Sequence, residues 1–326
     1  MVYVLANYGE KHLGFLLTSL YSIKKNAPDA EIFVFWQDIE SEIFSCSQQV
    51  YSDVKFVKTN FDIQGNQLFR TSSKTFLWHY AAQFLCDLGY TDACFLDCDT
   101  LLIKDVKYLF SQEFDIGFSV KKDVWPLNTG VLLVKLSEKT TDFFLRWQIL
   151  TLDILNDPIS FQQANVKDFP YGGADQMSFY KLINYIDGQV IFKSNSLTFK
   201  AFDSKVINQT ESVELQECNH IIHYKGGWQS VLLEGDTFKY RSLADSLPQY
   251  RLFASNYIET KGMFVNFYPE LERHSLGIKL PSWYSTKRNK VIRVLYVKKQ
   301  FTSYCSNYIK VISKIFFTKS KGLIVR

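Results

Sequence analysis

The stretch FLDCDTLLIKD, residues 95–105, ends an apolar run with two aspartates one residue apart, Asp97 and Asp99. Side chains alternate along an extended chain, so both carboxylates are expected on one side and Cys98 on the other. Like charges at such range repel, and one pKa is driven up unless a cation lies between them. A divalent metal resolves the conflict. Hard oxygen ligands suit Mg²⁺ or Mn²⁺, which keep open positions for substrate phosphates. An Asp-x-Asp is also cheap: about one is expected by chance in a chain this long, so a structural or solvated pair stands beside the metal reading.

The elements that must position this pair can be read from periodicity. MVYVLA is a first strand, and GFLLTSLYSIKKNAP carries apolar Phe15, Leu16, Leu20 and Ile23 at helical spacing, closed by Pro28. EIFVFW (31–36) and VKFVK (54–58) are two more strands. KTFLWHYAAQFLCDLGY places Phe76, Leu77, Tyr80, Ala81, Phe84, Leu85 and Leu88 on one helical face, with Gly89 as its stop, and ACFL (93–96) is the fourth strand. Strands alternating with such helices imply a doubly wound, Rossmann-like α/β sheet of mostly parallel strands flanked by helices. Ligands in such sheets bind at the carboxyl ends of strands, which is where Asp97 and Asp99 fall. Past about residue 235 the pattern loosens.

The 326 residues carry a net charge of +4, unevenly distributed. Residues 287–326 hold eleven Lys or Arg and no acid, leaving 26 basic against 33 acidic side chains in residues 1–286. A mildly acidic body argues against a general nucleic-acid binder. The tail interleaves its cations with Val, Ile, Phe and Tyr, the composition of a segment lying on anionic lipid; an RNA-binding or unstructured tail is the alternative. No apolar run reaches the roughly 18 residues needed to span a bilayer. With no charged segment ahead of the first strand, the expectation is a cytoplasmic protein held at the inner face of a membrane. The six cysteines lack metal or disulfide spacing and are read as reduced, mostly buried thiols. Asn208, in NQT, would accept a glycan only in a secretory compartment and is read instead as part of a surface loop.

Downstream of the aspartates come NTGVLLVK (128–135), YGGADQMSFY (171–180) and HIIHYKGGW (220–228). In order and spacing, over roughly residues 1–230, this set resembles the glycogenin-like and lipopolysaccharide-galactosyltransferase group (family 8) of glycosyltransferases. The resemblance implies the GT-A fold and a nucleotide-sugar donor. It implies that Asp97, Asp99 and His223 hold Mn²⁺ (or Mg²⁺) against the donor diphosphate; a lone histidine in IIHY is otherwise more often a core residue. It places Asn128 and Gly130 against the donor sugar, though NTG also reads as a turn before the VLLV strand. It makes Asp175 and Gln176 the catalytic pair beside the sugar, where a plain helix N-cap is the alternative.

By the same resemblance, Ala6, Asn7 and Tyr8 bind base and ribose, and Lys225, Gly226, Arg70 and Lys74 bind the diphosphate. The chain departs from the family at one point. Where the group carries Lys-Pro-Trp after the final histidine and glycine, this sequence has Gln229, Ser230 and Val231.

These readings divide the chain into a GT-A catalytic domain (1–235), an acceptor-side segment with a helical extension (236–286) and a basic amphipathic tail (287–326). The expected function is transfer of a sugar from a UDP-linked donor to a glycan or glycolipid acceptor such as lipopolysaccharide or another cell-surface polysaccharide. Retention of configuration follows if the family carries over; an inverting enzyme would use a carboxylate such as Asp175 as base. A nucleotidyltransferase would want a Gly-rich basic phosphate loop after the first strand, and ANYGEKHLG is a poor one. A catalytically silent glycan-binding module would keep the fold and dispense with the metal.

Overall fold

A computed structural model describes residues 1–39, 42–61, 67–121, 126–165, 173–210, 219–225, 229, 232–233, 247–265 and 278–279. The Arg70 side chain, Gly226, Ser230, Val231, Cys218, Cys305 and the tail 287–326 lie outside the described residues. Four strands expected from periodicity are present as β1 (Val2–Tyr8), β2 (Glu31–Gln37), β3 (Lys55–Lys58) and β4 (Asp92–Asp97). Between them run α1 (Leu13–Asn26), α2 (Glu42–Val50) and α3 (Gln67–Asp87). Helix α3 starts about two turns earlier than the apolar period suggested, since QLFRTSS contains no breaker. It ends as expected: Gly89 at φ 80° takes the left-handed position, and the Tyr90 and Gly89 N–H groups close onto the carbonyls of Leu85 and Cys86.

Past β4 the chain continues through β5 (Thr100–Leu102), β6 (Ile116–Val120), β7 (Leu127–Lys135), α4 (Glu138–Asn156), α5 (Pro158–Asn165) and α6 (Ala174–Ile183). It goes on through β8 (Ile191–Ser194), β9 (Leu197–Asp203), α7 (Ser204–Ile207), β10 (Ile221–His223) and α8 (Leu247–Val265), the last supplying the expected C-terminal helical extension. Eight strands form one sheet in the order β3-β2-β1-β4-β7-β6-β9-β8. The β3-β2-β1-β4 half is parallel, as the alternation of strand and helix requires. The sheet as a whole is mixed, because β7 runs antiparallel to both β4 and β6, and β8 runs antiparallel to β9. The link from Val120 to Leu127 is far shorter than the dozen residues a parallel crossover needs, so β6 and β7 fold back on each other. The Asn128-Thr129-Gly130 segment, which also read as a turn, lies inside β7, opposite a register shift between Phe118 and Ser119.

One face of the sheet packs on α3, α4 and α6 through a core rich in aromatics. Trp78, Phe95, Phe118, Phe143, Phe144 and Trp147 are all buried there, each removing roughly 1.5–3 kcal/mol of apolar surface from water. A capping box between Ser137 and Thr140 fixes the start of α4. On α1 sits α8, with Phe15 and Phe253 rings 5.2 Å apart. Of the cysteines, Cys46, Cys86, Cys94 and Cys98 are free thiols, but only Cys94 is fully buried; the others keep partial exposure. Among the described residues no helix is long and apolar enough to cross a membrane.

Candidate active site

Strand β4 ends at Asp97, and Asp99 sits in the turn that leads to β5. The expectation of two strand positions on one face is therefore corrected: a turn, closed by the Thr100 hydroxyl donating to the Asp97 carbonyl at 2.8 Å, converges the two carboxylates. Its consequence is larger than the local geometry. The turn launches β5, which pairs antiparallel with β10 so that Thr100 stands opposite His223, and the Tyr224 N–H donates to the Asp99 carbonyl at 2.8 Å. A histidine more than a hundred residues away is thereby fixed beside the aspartates. His223 Nε2 lies 3.1 Å from Asp99 Oδ1 and 3.7 Å from Asp97 Oδ2.

One ligand atom from each of Asp97, Asp99 and His223 falls within 4.8 Å of the others. Two carboxylates and an imidazole are a donor set that can hold a divalent metal ion. The electrostatics agree with a cation there. Burial pushes Asp97 up, against the pull of Lys74 and His223. Burial also opposes ionisation of Asp99, but His223 and His12 outweigh it and hold that carboxyl below its usual range.

Lys74, on α3, is the positive charge on the other side. Its Nζ lies 3.2 Å from Asp97 Oδ2, 2.9 Å from Asp175 Oδ2 and 3.1 Å from the Thr129 hydroxyl, with the Trp78 ring beneath it. Desolvation alone would lower its pKa; the two carboxylates more than offset that and raise it. Thus Lys74, expected among the diphosphate binders, ties the end of β4 to the first turn of α6.

Asp175 accepts from the Thr129 hydroxyl at 3.0 Å on the same oxygen that meets Lys74, and its main-chain carbonyl accepts from the Trp147 indole at 2.8 Å. The aromatic core therefore holds α6 in place. Gln176 is nearly buried, and among the described residues its side-chain Oε1 has no hydrogen-bond partner, an orphaned acceptor of the kind that marks a ligand site.

The expected residues Ala6, Asn7, Tyr8, Lys225, Asn128 and Gly130, all described, lie near the same edge. Ala6 stands opposite Asp97 in the β1–β4 register, with Asn7 and Tyr8 following; the Asn7 amide donates to the Gly9 carbonyl at 2.8 Å. Lys225 follows β10, and burial, with Lys121 and Lys74 adding repulsion, pushes its ammonium down to about 8. An anion arriving there would be welcomed. Asn128 and Gly130 lie in β7, and the space a Cβ would take at Gly130 is filled by the His223 ring: that carbon would sit 2.2 Å from His223 Cε1 and 2.5 Å from Nδ1. Glycine is required here by close approach.

Three contributors were not assigned from sequence. Gln229, noted only as a departure from Lys-Pro-Trp, donates from Nε2 to Asp99 Oδ2 at 2.9 Å. Thr129 lay unremarked within NTG. Asn208, read as part of a surface loop, is fully buried and meets His223 Nδ1 at 2.9 Å; its burial also removes it as a glycan acceptor in the folded chain.

The strand order and the acidic turn at the carboxyl edge define an α/β fold of the GT-A glycosyltransferase type. Among solved structures, the chain is similar to the glycosyltransferase GlyE of Streptococcus pneumoniae TIGR4, with a TM-score of 0.52 and 15% identity over 87% of this chain. It is also similar to the bifunctional glycosyltransferase WbbM, with a TM-score of 0.50 and 11% identity over 84% of this chain. The chain spans 66% of the GlyE chain and 51% of the WbbM chain. At such identity the likeness is one of fold. The galactosyltransferase LgtC scores 0.48 at 13% identity, over 79% of this chain and 96% of that one, too low to carry weight. The sequence matches no protein-family model and no curated protein.

Replacing Gly130 by Ala is expected to push the His223 ring aside. Calorimetric titration with Mn²⁺ should show affinity lower by about tenfold or more, with the far-ultraviolet circular dichroism unchanged.

Proposed function

We propose that this chain is a metal-dependent glycosyltransferase that moves a sugar from a nucleoside-diphosphate donor, UDP-linked, to a hydroxyl of a glycan or glycolipid acceptor such as lipopolysaccharide or another cell-surface polysaccharide. The observation that carries the reading is the convergence of Asp97, Asp99 and His223 at the carboxyl edge of a GT-A sheet. In the reaction the bond from the anomeric carbon to the diphosphate oxygen breaks, a bond to the acceptor oxygen forms, and the acceptor proton leaves with the released diphosphate or to solvent. Asp97, Asp99 and His223 would hold Mn²⁺, which would supply Lewis-acid neutralisation of the diphosphate leaving group.

The chain's own residues do the rest. Lys225 adds a partly desolvated positive charge for the diphosphate, where each interaction is stronger than in water. Ala6, Asn7 and Tyr8 line the end of β1 beside Asp97, where a base and ribose would lie. Asp175 has one oxygen engaged by Lys74 and Thr129 and offers the other to a sugar hydroxyl. With one oxygen tied to Lys74 and Thr129, Asp175 is fixed in orientation, which supports a role in holding the donor and a retaining outcome. Gln176, next on α6, has a side-chain oxygen unpartnered among the described residues, which supports a second contact to the donor.

The eleven cations of residues 287–326 support peripheral attachment to anionic lipid, at roughly 1 kcal/mol each near the surface. Truncation after Tyr284 is expected to abolish co-sedimentation with phosphatidylserine-containing liposomes at low salt; undiminished binding would remove the membrane contact.

For the activity, nucleotide sugars are screened for hydrolysis with Mn²⁺ and again with chelator. One donor should be cleaved in a metal-dependent way, and Asp97→Asn should lower that rate by about 100-fold or more. Equal hydrolysis by a folded Asp97→Asn protein would overturn the metal assignment, and no hydrolysis of any donor would favour a silent glycan-binding module.

A further inference from the structure

The asparagine of NQT is wholly enclosed, with 0% of its surface exposed, and it lies at the centre of a hydrogen-bond chain whose polarity can be worked out from one fixed point. The Gly130 backbone N–H can only donate, so the Asn128 atom it meets at 2.8 Å is the side-chain oxygen. That same oxygen lies 2.7 Å from Asn208. Two carbonyl oxygens would repel, so Asn208 turns its amide nitrogen to Asn128. The nitrogen's second hydrogen goes to Ser119 Oγ at 2.7 Å, whose own proton is given to the Asn128 main-chain carbonyl at 3.1 Å. Asn208 Oδ1 is therefore the atom that faces His223 Nδ1 at 2.9 Å, and Nδ1 must carry the hydrogen. In the neutral ring Nε2 is then the nitrogen without hydrogen, and it faces Asp97 and Asp99. The backbone holds the arrangement, since the His223 N–H donates to the Gln209 carbonyl at 2.9 Å and the Gln209 N–H to the Ile221 carbonyl at 3.0 Å.

We propose that Asn208 is a positioning residue that sets the tautomer of His223, so that Nε2 and not Nδ1 is the ligand nitrogen offered to a divalent cation. The purpose of this device rests on the metal reading above; the geometry does not. A lone pair aimed at two carboxylates is unfavourable unless a proton or a metal cation lies between them, so the Gly130–Asn128–Asn208 relay leaves Nε2 as the nitrogen open to either. Asn208 is fully buried, and its loss would leave His223 Nδ1 without its acceptor and the Asn128 oxygen with the Gly130 N–H alone.

The test uses the full chain labelled with ¹⁵N-histidine and freed of metal, with the tautomer read from spectra whose ring ¹⁵N shifts are those of a neutral imidazole. The His223 resonances are those that vanish in His223→Gln. They are expected to report hydrogen on Nδ1 in the wild type, and a shift towards the other tautomer in Asn208→Leu. In parallel, Mn²⁺ titration followed by electron paramagnetic resonance should show affinity about 10- to 100-fold weaker in Asn208→Leu. Asn208→Asp, which keeps an acceptor facing Nδ1, should retain the wild-type tautomer. A wild-type ring with hydrogen on Nε2 would overturn the proposal without recourse to any variant. So would an Asn208→Leu protein with unchanged tautomer and unchanged Mn²⁺ affinity. If Asn208→Leu fails to fold, the wild type and Asn208→Asp decide. Wild-type protein that binds no Mn²⁺ would defeat the metal reading, while the tautomer comparison would still judge Asn208.

Discussion

Two carboxylates held close together and largely out of water can stay ionised only if positive charge reaches them from several sides. Asp97 and Asp99 impose that condition, and much of the surrounding structure answers it. Lys74 approaches Asp97 from α3, His223 approaches both aspartates from β10, and the Gln229 amide donates to Asp99. Each contributor arrives on a different element, so the charge balance of the site depends on the tertiary fold. The mixed sheet serves this arrangement: parallel β1 and β4 end together at the site edge, while antiparallel β7 brings Asn128, Thr129 and Gly130 back alongside.

Lys74 and His223 do different work. Lys74 joins Asp97 to Asp175, coupling the end of β4 to the first turn of α6 through two largely buried ion pairs. Removing it would leave two carboxylates without compensation, a far costlier change than losing a surface pair. His223 is held by packing into the space at Gly130 and by hydrogen bonding to Asn208, with little freedom to turn. Its ring is thus oriented before any ligand arrives, which is how a site avoids spending binding energy on reorganisation.

Much of this was legible in the sequence, and the limits have physical causes. The first half of the sheet could be read because its strands are apolar runs separated by helices of clear period, and Asp97 and Asp99 were visible because two acids at the end of such a run are conspicuous. The direction of β7 was not visible, since a buried strand such as VLLV has the same composition either way. The β5–β10 pairing was hidden for a different reason: strands of three residues carry little periodic signal, and their separation exceeds a hundred residues. Asn208 was misassigned because NQT has the composition of a turn, and only tertiary burial shows its side chain turned inward. Gln229 looked like the loss of a family lysine; in place it is a hydrogen-bond donor to Asp99. Lys74 was singled out as a cation, but its two carboxylate partners come from different elements and no local pattern announces them.

The central claim is that Asp97, Asp99 and His223 together hold one divalent cation. Crystals of the wild-type chain grown with Mn²⁺ and a nucleoside diphosphate, with data collected on both sides of the manganese absorption edge, address it directly. The account predicts one strong anomalous peak at coordination distance from all three side chains, in contact with the diphosphate. A bound diphosphate with no anomalous peak at that position, or with manganese held elsewhere, would contradict it.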